Sequence, residues 1–421
     1  MELFLGLDFG TSGARAIAID ASGCIQAQAR CTYPTPSINV ALDWQSTLWT
    51  LLDRLPPNCR QQVQAIAIDG TSSTTLLCDS SGQPVLPPLM YNDPQAQDWQ
   101  SFLKRFAPAQ HITVGATSGL VKLCWLLARK RLEDKGYGLC QADWLGFLLH
   151  GQLGMSDYHN CLKLGYDAEE MGWPDWVRSL RVREYEIGDY LPTVFPPGTT
   201  VATIRSDIAE CYGFPHSCAI KSGTTDSIAA FLASGARLFG QAVTSLGSSL
   251  AIKLLSPCQV NDSERGIYSH RLGRRWLVGG ASNTGGAVLK RFFTGEELRA
   301  LSKYINPAIA SPLNYYPLLE PGERFPISDP KFPPKLTPRP DSDAEFLHGL
   351  LEGIAAIEVQ GYRVLVTLGA PAVTQVLTAG GGAQNQVWTA IRARNLGVPV
   401  VPSTQTEAAY GSALLARDGL G

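Results

Sequence analysis

The chain has 421 residues, 45% of them hydrophobic and 17% charged, with a formal net charge of -2. This length predicts two to three domains, two large lobes being the simplest arrangement. The near-neutral charge excludes a general attraction for nucleic acid or an anionic membrane, so any anionic ligand needs a local site.

The first residues already read as a buried strand, which leaves no room for a leader peptide, and no apolar run approaches the ~18 residues that span a bilayer. Ten cysteines (24, 31, 59, 78, 124, 140, 161, 211, 218 and 258) fall inside apolar runs without a C-x-x-C pair. Reduced core thiols and a cytoplasmic setting are expected.

In chain order, LFLGLDFG, TSGARAIAID and GCIQAQARC (3–10, 11–20, 23–31) predict a β-meander broken by glycine turns. A helix is expected around residues 44–55, followed by the apolar strand VQAIAIDGTS ending at 69–72. Helices are predicted over 122–131 and 141–151, the second stopped by Gly151. PPGTT (196–200) reads as a loop, CAIKSGTTDS (218–227) as a strand, and 228–236 as a short apolar helix.

At Gly240 the form of the N-terminal hairpin returns in GQAVTSLGSSLAIKLLS, which reads as an internal duplication. The proline-dense stretch 315–340 suits an irregular surface excursion. A helix is expected over 344–368, then a strand, glycine turn and helix from 375, and a final helix from about Thr406. Alternating strands and helices place the chain in the α/β class.

Five segments could carry chemistry. Asp8-Phe9-Gly10-Thr11-Ser12-Gly13 offers small residues whose backbone N–H groups can approach an anion, with a strand-end carboxylate suited to hydrated Mg2+. The alternative is a plain hairpin turn. No G-x-x-x-x-G-K-[ST] occurs, so a P-loop is not supported. Thr244-Ser245-Leu246-Gly247-Ser248-Ser249 echoes the first loop, and two such loops could clamp a triphosphate.

Gly223-Thr224-Thr225-Asp226-Ser227 puts Asp226 where a base for an alcohol could stand, although a helix cap uses the same residues. Thr378 to Asn385 with its triple glycine lets a nucleotide lie on the backbone, with Asn385 and Trp388 on one helix face. Gly279 to Gly286 can serve either packing or function. Arg15, leaving the first loop, could reach a substrate hydroxyl or phosphate. The six histidines show no metal-ligand spacing and are assigned no role.

In order, LGLDFGTSGARAIAID, AIAIDGTS, SGTTDS, TSLGSS, GGASNTGG, TAGGGAQN and TEAAYGSALLA resemble the FGGY carbohydrate kinases of the actin, Hsp70 and hexokinase superfamily, over residues 3–416. The likeness is nearest to the short D-ribulose kinase, xylulokinase-like branch. It implies two ribonuclease-H-like (actin-like ATPase) domains around a central cleft: residues 1–233 plus 407–421 for the sugar, and 234–406 for ATP.

By resemblance, Asp8 is the Mg2+-associated carboxylate, Thr11 a γ-phosphate contact and Asp226 the general base. Ser12, Gly13, Arg15, Ser72 and Ser227 then line the sugar pocket with Asp8 and Asp226. Gly247, Ser248, Gly381, Gly382, Asn385 and Trp388 hold the nucleotide. The implied partners are a pentulose and ATP, with no nucleic acid or membrane, in a monomer or small homo-oligomer.

Xylulokinases usually carry Gln-Met-His-Gly where this chain has Asp69-Gly70-Thr71-Ser72-Ser73-Thr74, which is nearer to ribulose and ribitol kinases. Of a frequent Trp-x-Asp-x-Arg motif, residues 90–94 keep only Asp93. D-ribulose is the expected substrate. D-xylulose, L-ribulose and ribitol are alternatives on the same fold, and an actin-like ATPase, a sugar-responsive interaction protein and a phosphohydrolase are the other classes left open.

Overall fold

A computed structural model describes residues 1–34, 37, 39–109, 111–115, 118–130 and 135–420. The chain divides into two compact units, Met1–Ala233 with Glu407–Gly421, and Ser234–Thr406.

The first unit opens as a meander of β1 (Leu3–Phe9), β2 (Gly13–Asp20) and β3 (Ile25–Thr32). Alternation along β1 sends Leu3, Leu5, Leu7 and Phe9 into one core. Helix α1 (Val40–Arg54) covers that face with Trp44, Leu48, Leu51 and Leu52, at the three-to-four-residue spacing of a helix stripe. The Asn39 side chain caps its first turn by accepting from the Ala41 and Leu42 N–H groups.

Strand β4 (Val63–Gly70) then enters parallel to β1, with Asp8 beside Asp69 in register. Helix α2 (Gly119–Arg129) is buried almost all round; of the helix expected here, Arg131 lies outside the described residues. Helix α3 (Gln141–His150) stops at Gly151, whose φ of 76° is left-handed as the sequence suggested. Strands β5 (Thr200–Thr203) and β6 (Ala219–Lys221) complete the sheet order β5-β6-β4-β1-β2-β3. The two-residue strand β7 (Thr224–Thr225) also pairs with β4, and helix α4 (Asp226–Ser234) starts directly after it.

The second unit repeats this plan. Its hairpin, β8 (Gln241–Leu246) and β9 (Leu250–Ser256), precedes β10 (Tyr268–Leu272), β11 (Arg275–Ser282) and helix α5 (Gly286–Phe292). The long helix α6 (Asp343–Thr367) leads to β12 (Gln375–Ala379), α7 (Gln386–Leu396) and β13 (Val400–Pro402). The order is β10-β11-β9-β8-β12-β13, with β12 parallel to β8 as β4 is to β1. The duplication suspected at one hairpin therefore extends over five strands, β3-β2-β1-β4-β6 matching β11-β9-β8-β12-β13.

Residues 315–340 depart from the surface excursion expected of them. They are irregular, yet Tyr315, Leu318 and Phe325 are buried in the core. Phe325 occupies the space left by two glycines: a Cβ on Gly280 or on Gly361 would stand 2.6 or 2.7 Å from its ring. Proline density reported a constrained backbone and carried no information about burial.

The last helix, α8 (Ala408–Asp418), returns to the first unit and covers the β-sheet face opposite α1. The approach is close, since a Cβ on Gly6 would lie 1.9 Å from the Ala409 carbonyl oxygen. Among the described residues no helix is long and apolar enough to cross a membrane.

Candidate functional site

Three carboxylates meet at one end of the first sheet. Asp8 and Asp69 are neighbours across β1 and β4, and β7 sets Thr224 beside Asp69 on the other side. Two residues on, Asp226 begins α4, and its charge acts on Asp69. Parallel strands whose side chains share a face bring these acids together although 218 positions separate the first from the last.

The electrostatics assign the protons. Burial, followed by the negative charge of Asp8, holds the Asp69 carboxyl well above the usual carboxylate range. Burial also raises Asp8, but the hydrogen bond with Asp69 and the positive charge of Arg15 pull it back. Two adjacent carboxylates in a dry site do not both ionise, so Asp69 stays neutral and donates to an ionised Asp8. Asp69 Oδ2 accepts from Ser412 Oγ of α8 at 2.6 Å.

Among the buried polar atoms without a protein partner are Asp69 Oδ1 itself, Tyr33 OH, on which Asp8 acts, and Thr225 Oγ1, next in sequence to Asp226. Such atoms are rare in folded proteins, and three beside one group of acids suit a polar ligand or its waters. Burial, followed by the negative charge of Asp8, pushes the Tyr33 phenol up.

Of the residues expected in the first loop, Thr11 and Ser12 are exposed in the turn. Gly13 has a packing reason of its own: a Cβ there would lie 2.3 Å from the Cys31 carbonyl oxygen on β3. Arg15 stands opposite Asp8 in register, acts on it with its positive charge and pairs with Glu407 at the start of α8. Ser72 is half-buried and Ser227 exposed. Asp226 Oδ1 accepts from the Ser227 N–H at 2.6 Å, so the carboxylate also serves its own helix start.

In the second unit Gly247 and Ser248 are exposed at the β8–β9 turn, and their carbonyls accept from the N–H groups of Gly286 and Ala287 at 2.9 and 3.0 Å. A Cβ on Gly285 or Gly286 would come within 2.7 Å of this turn, which gives those glycines a packing role. Gly381 is exposed with nothing within 4 Å of a Cβ, while Gly382 lies over Leu246 and Trp388.

Two residues expected to contact a nucleotide are occupied otherwise. Trp388 is 2% exposed and packs in the core. Asn385 caps α7 through Oδ1 to the Trp388 N–H, and its Nδ2 donates to Ser302 Oγ. Helical spacing placed both on one face but did not show that this face is the inner one.

Sequence reasoning missed several residues. Glu358 of α6 and Arg392 of α7 form a fully buried bidentate pair at 2.6 and 2.7 Å. Glu358 also accepts from Thr244, and Arg392 donates to Thr378 at 2.7 Å, so the pair anchors β8 and β12 just before the glycine loops. His159 shares a 2.7 Å hydrogen bond with Thr224 Oγ1, and Asn160 donates to the Thr224 carbonyl, which fixes the strand β7 just before Asp226. All ten cysteines are free, but Cys24, Cys211 and Cys258 are exposed, against the core role expected of them.

Comparison with known proteins identifies the family. The N-terminal domain of the FGGY family of carbohydrate kinases matches residues 3–233 and the C-terminal domain matches residues 242–417. An L-fuculokinase of Salmonella typhi is 25% identical over 460 aligned residues, covering 100% of this chain and 93% of that protein. A xylulose kinase of Staphylococcus epidermidis is 22% identical, covering 100% and 88%. A ligand-bound xylulose kinase from Lactobacillus acidophilus superposes with a TM-score of 0.83 at 18% identity, over 100% of this chain and 90% of that one, which supports the fold of two actin-like ATPase domains. With both halves matched by its models, the chain belongs to the FGGY family of carbohydrate kinases and is an ATP-dependent phosphotransferase acting on a sugar.

Proposed function

We propose that the protein phosphorylates D-ribulose to D-ribulose 5-phosphate, with the sugar held by the unit of residues 1–233 and 407–421 and ATP by the unit of residues 234–406. The observation that supports this most is the gathering of Asp8, Asp69 and Asp226 at adjacent strand ends in one unit. Asp226 takes the proton of the terminal sugar hydroxyl, whose oxygen bonds to the γ-phosphorus as the bridging P–O bond breaks and ADP leaves. Thr11 contacts the transferring phosphoryl group. Ser12, Gly13, Ser72 and Ser227 line the sugar, and the exposed glycine loops at Gly247, Ser248 and Gly381 lie against the nucleotide.

Mg2+ suits the acidic end of the site. It takes one or two carboxylates and keeps waters and phosphate oxygens for the rest, whereas the described residues hold no cluster of three or more acidic, His or Cys ligands that could cage a metal. Asp8, ionised and backed by the neutral Asp69, is the residue that would hold it. Bound Mg2+ supplies neutralisation of the phosphate charge.

The sugar assignment rests on the loop Asp69-Gly70-Thr71-Ser72-Ser73-Thr74. A coupled assay of ADP release over D-ribulose, L-ribulose, D-xylulose, L-fuculose, ribitol and gluconate tests it. D-ribulose should give the highest kcat/KM, with sugar phosphate formed in step with ADP. A higher value for L-fuculose or D-xylulose, the substrates that the relatives' names imply, would replace it. ADP release without sugar phosphate would make the protein an ATPase.

A further inference from the structure

Lys122 is 0% exposed, on a helix whose other faces are apolar. Its Nζ donates to the carbonyl oxygens of Ser73 at 2.8 Å, Met90 at 2.6 Å and Tyr91 at 3.0 Å. Three N–H donors therefore meet three backbone acceptors. The acceptors belong to two segments: the loop after β4 that contains Ser72, and the turn that ends in Asp93. These segments part at Thr75 and Leu89, which exchange two backbone hydrogen bonds of 2.9 Å.

The loop is held from its other side by Gln141, whose Oε1 accepts from the Thr71 N–H at 2.9 Å and whose own N–H donates to the Thr74 carbonyl at 3.1 Å. Between these two grips Ser73 adopts a left-handed φ of 68°, which a non-glycine residue keeps only when its surroundings impose it.

A buried ammonium without a carboxylate on it is a poor stabiliser, and an apolar side chain of the same length would fill the space at lower cost. The charge makes sense as a device that fixes geometry. We propose that Lys122 is a positioning residue for sugar recognition, tying the loop 71–74 to the turn 90–93 and so fixing the loop that carries Ser72 toward the sugar. This rests on the sugar-kinase reading of the first unit and adds to it the residue that holds the specificity loop.

The charged and titratable groups acting on Lys122 are Lys163, Asp93 and Cys140. Burial, reinforced by Lys163 and opposed by Asp93 and Cys140, pushes the ammonium down to about 8. Below that pH all three carbonyls have a donor. Above it the amine keeps two N–H groups and turns a lone pair toward the third carbonyl, and the tie loosens.

The test compares the wild type with Lys122→Met on the best sugar and its epimers. Sugar kcat/KM should fall about 100-fold, the loss typical of a displaced binding group, and discrimination between epimers should narrow while the KM for ATP stays within about twofold. Unchanged sugar kinetics, or an ATP KM that rises in parallel, overturns the role. Should Lys122→Met fail to fold, the wild-type ratio of sugar KM to ATP KM between pH 7 and 9.5 decides: a rise through about 8 supports the tie, and a flat ratio overturns it. A wild type that phosphorylates no sugar defeats the kinase reading and this inference together, whereas an active wild type matched by Lys122→Met defeats only the tie.

Discussion

Asp8, Asp69 and Asp226 are one residue type in three states, and the differences make separate predictions. Asp226 is half-buried at a helix start, so Asp226→Asn should keep its shape and ATP affinity while losing turnover by about 100- to 10,000-fold, the usual contribution of a positioned base. Steady-state kinetics with a nucleotide-binding assay checks this, and near-normal turnover removes Asp226 from the role. Asp69 is already neutral, so an amide that still donates toward Asp8 replaces it at small cost. Asp69→Asn should retain turnover within about tenfold, whereas Asp8→Asn, which removes the ionised member, should lose about 100-fold or more. Equal losses in the two variants would show that the proton is not held where burial and the Asp8 charge place it. The first of the three acids was legible in the sequence as a strand-end carboxylate by a glycine turn. Asp69 ended a quoted strand but received no role, because its meaning lies in the register of β4 beside β1, a pairing between residues about sixty positions apart.

At the scale of elements, two contacts carry the site. Helix α8 crosses α4 so closely that a Cβ on Gly411 would lie 1.8 Å from the Ala229 carbonyl oxygen. Because α4 begins at Asp226, forcing the helices apart moves the base as well as the packing. Gly411→Val should cost about 1–3 kcal/mol or more from overpacking and lower kcat together with thermal stability; a variant of wild-type melting temperature and kcat would refute the coupling. In the second unit, Glu358→Gln leaves Arg392 charged, buried and without its carboxylate. A loss of about 3–5 kcal/mol is expected, with a raised ATP KM because β8 and β12 lose their common anchor. Thermal melts and nucleotide titration read both effects. Elements were legible in the sequence wherever local signals agreed: the glycine-broken meander, the stop at Gly151 and the returning hairpin at Gly240 all stand where they were expected. Burial was less legible. The prolines of residues 315–340 concealed a core segment, the spacing of Asn385 and Trp388 did not reveal which face α7 turns inward, and Lys122 gave no sign that its charge is spent on two loops.

Each unit is built on one large sheet, the two sharing a central plan, and the chain leaves the first unit at Ala233 only to return at Glu407. That return closes the first unit. Helix α8 buries Ala409, Ala413, Leu415 and Ala416 against β1, β2 and β4, holds Asp69 through Ser412 and pairs Glu407 with Arg15. Without it the alternating strands, apolar on both faces along β1, β2 and β4, would leave Ile17, Ala65 and Ala67 in water and the buried Asp69 uncovered. The second unit loses nothing from its own core, since α8 belongs to the other. A chain ending at Thr406 should therefore keep a folded Ser234–Thr406 and lose the N-terminal unit, although the cut lies more than 170 residues downstream of Ala233 in sequence. Limited proteolysis with mass spectrometry reads this directly: residues 1–233 should be digested while the second unit survives as a resistant fragment. A synthetic peptide of residues 407–421 added in trans should restore protection to the first unit. If residues 1–233 resist protease equally with and without that peptide, the last helix is not what holds the carboxylate end of the first sheet together, and the placement of Asp8 and Asp69 must depend on the meander and α1 alone.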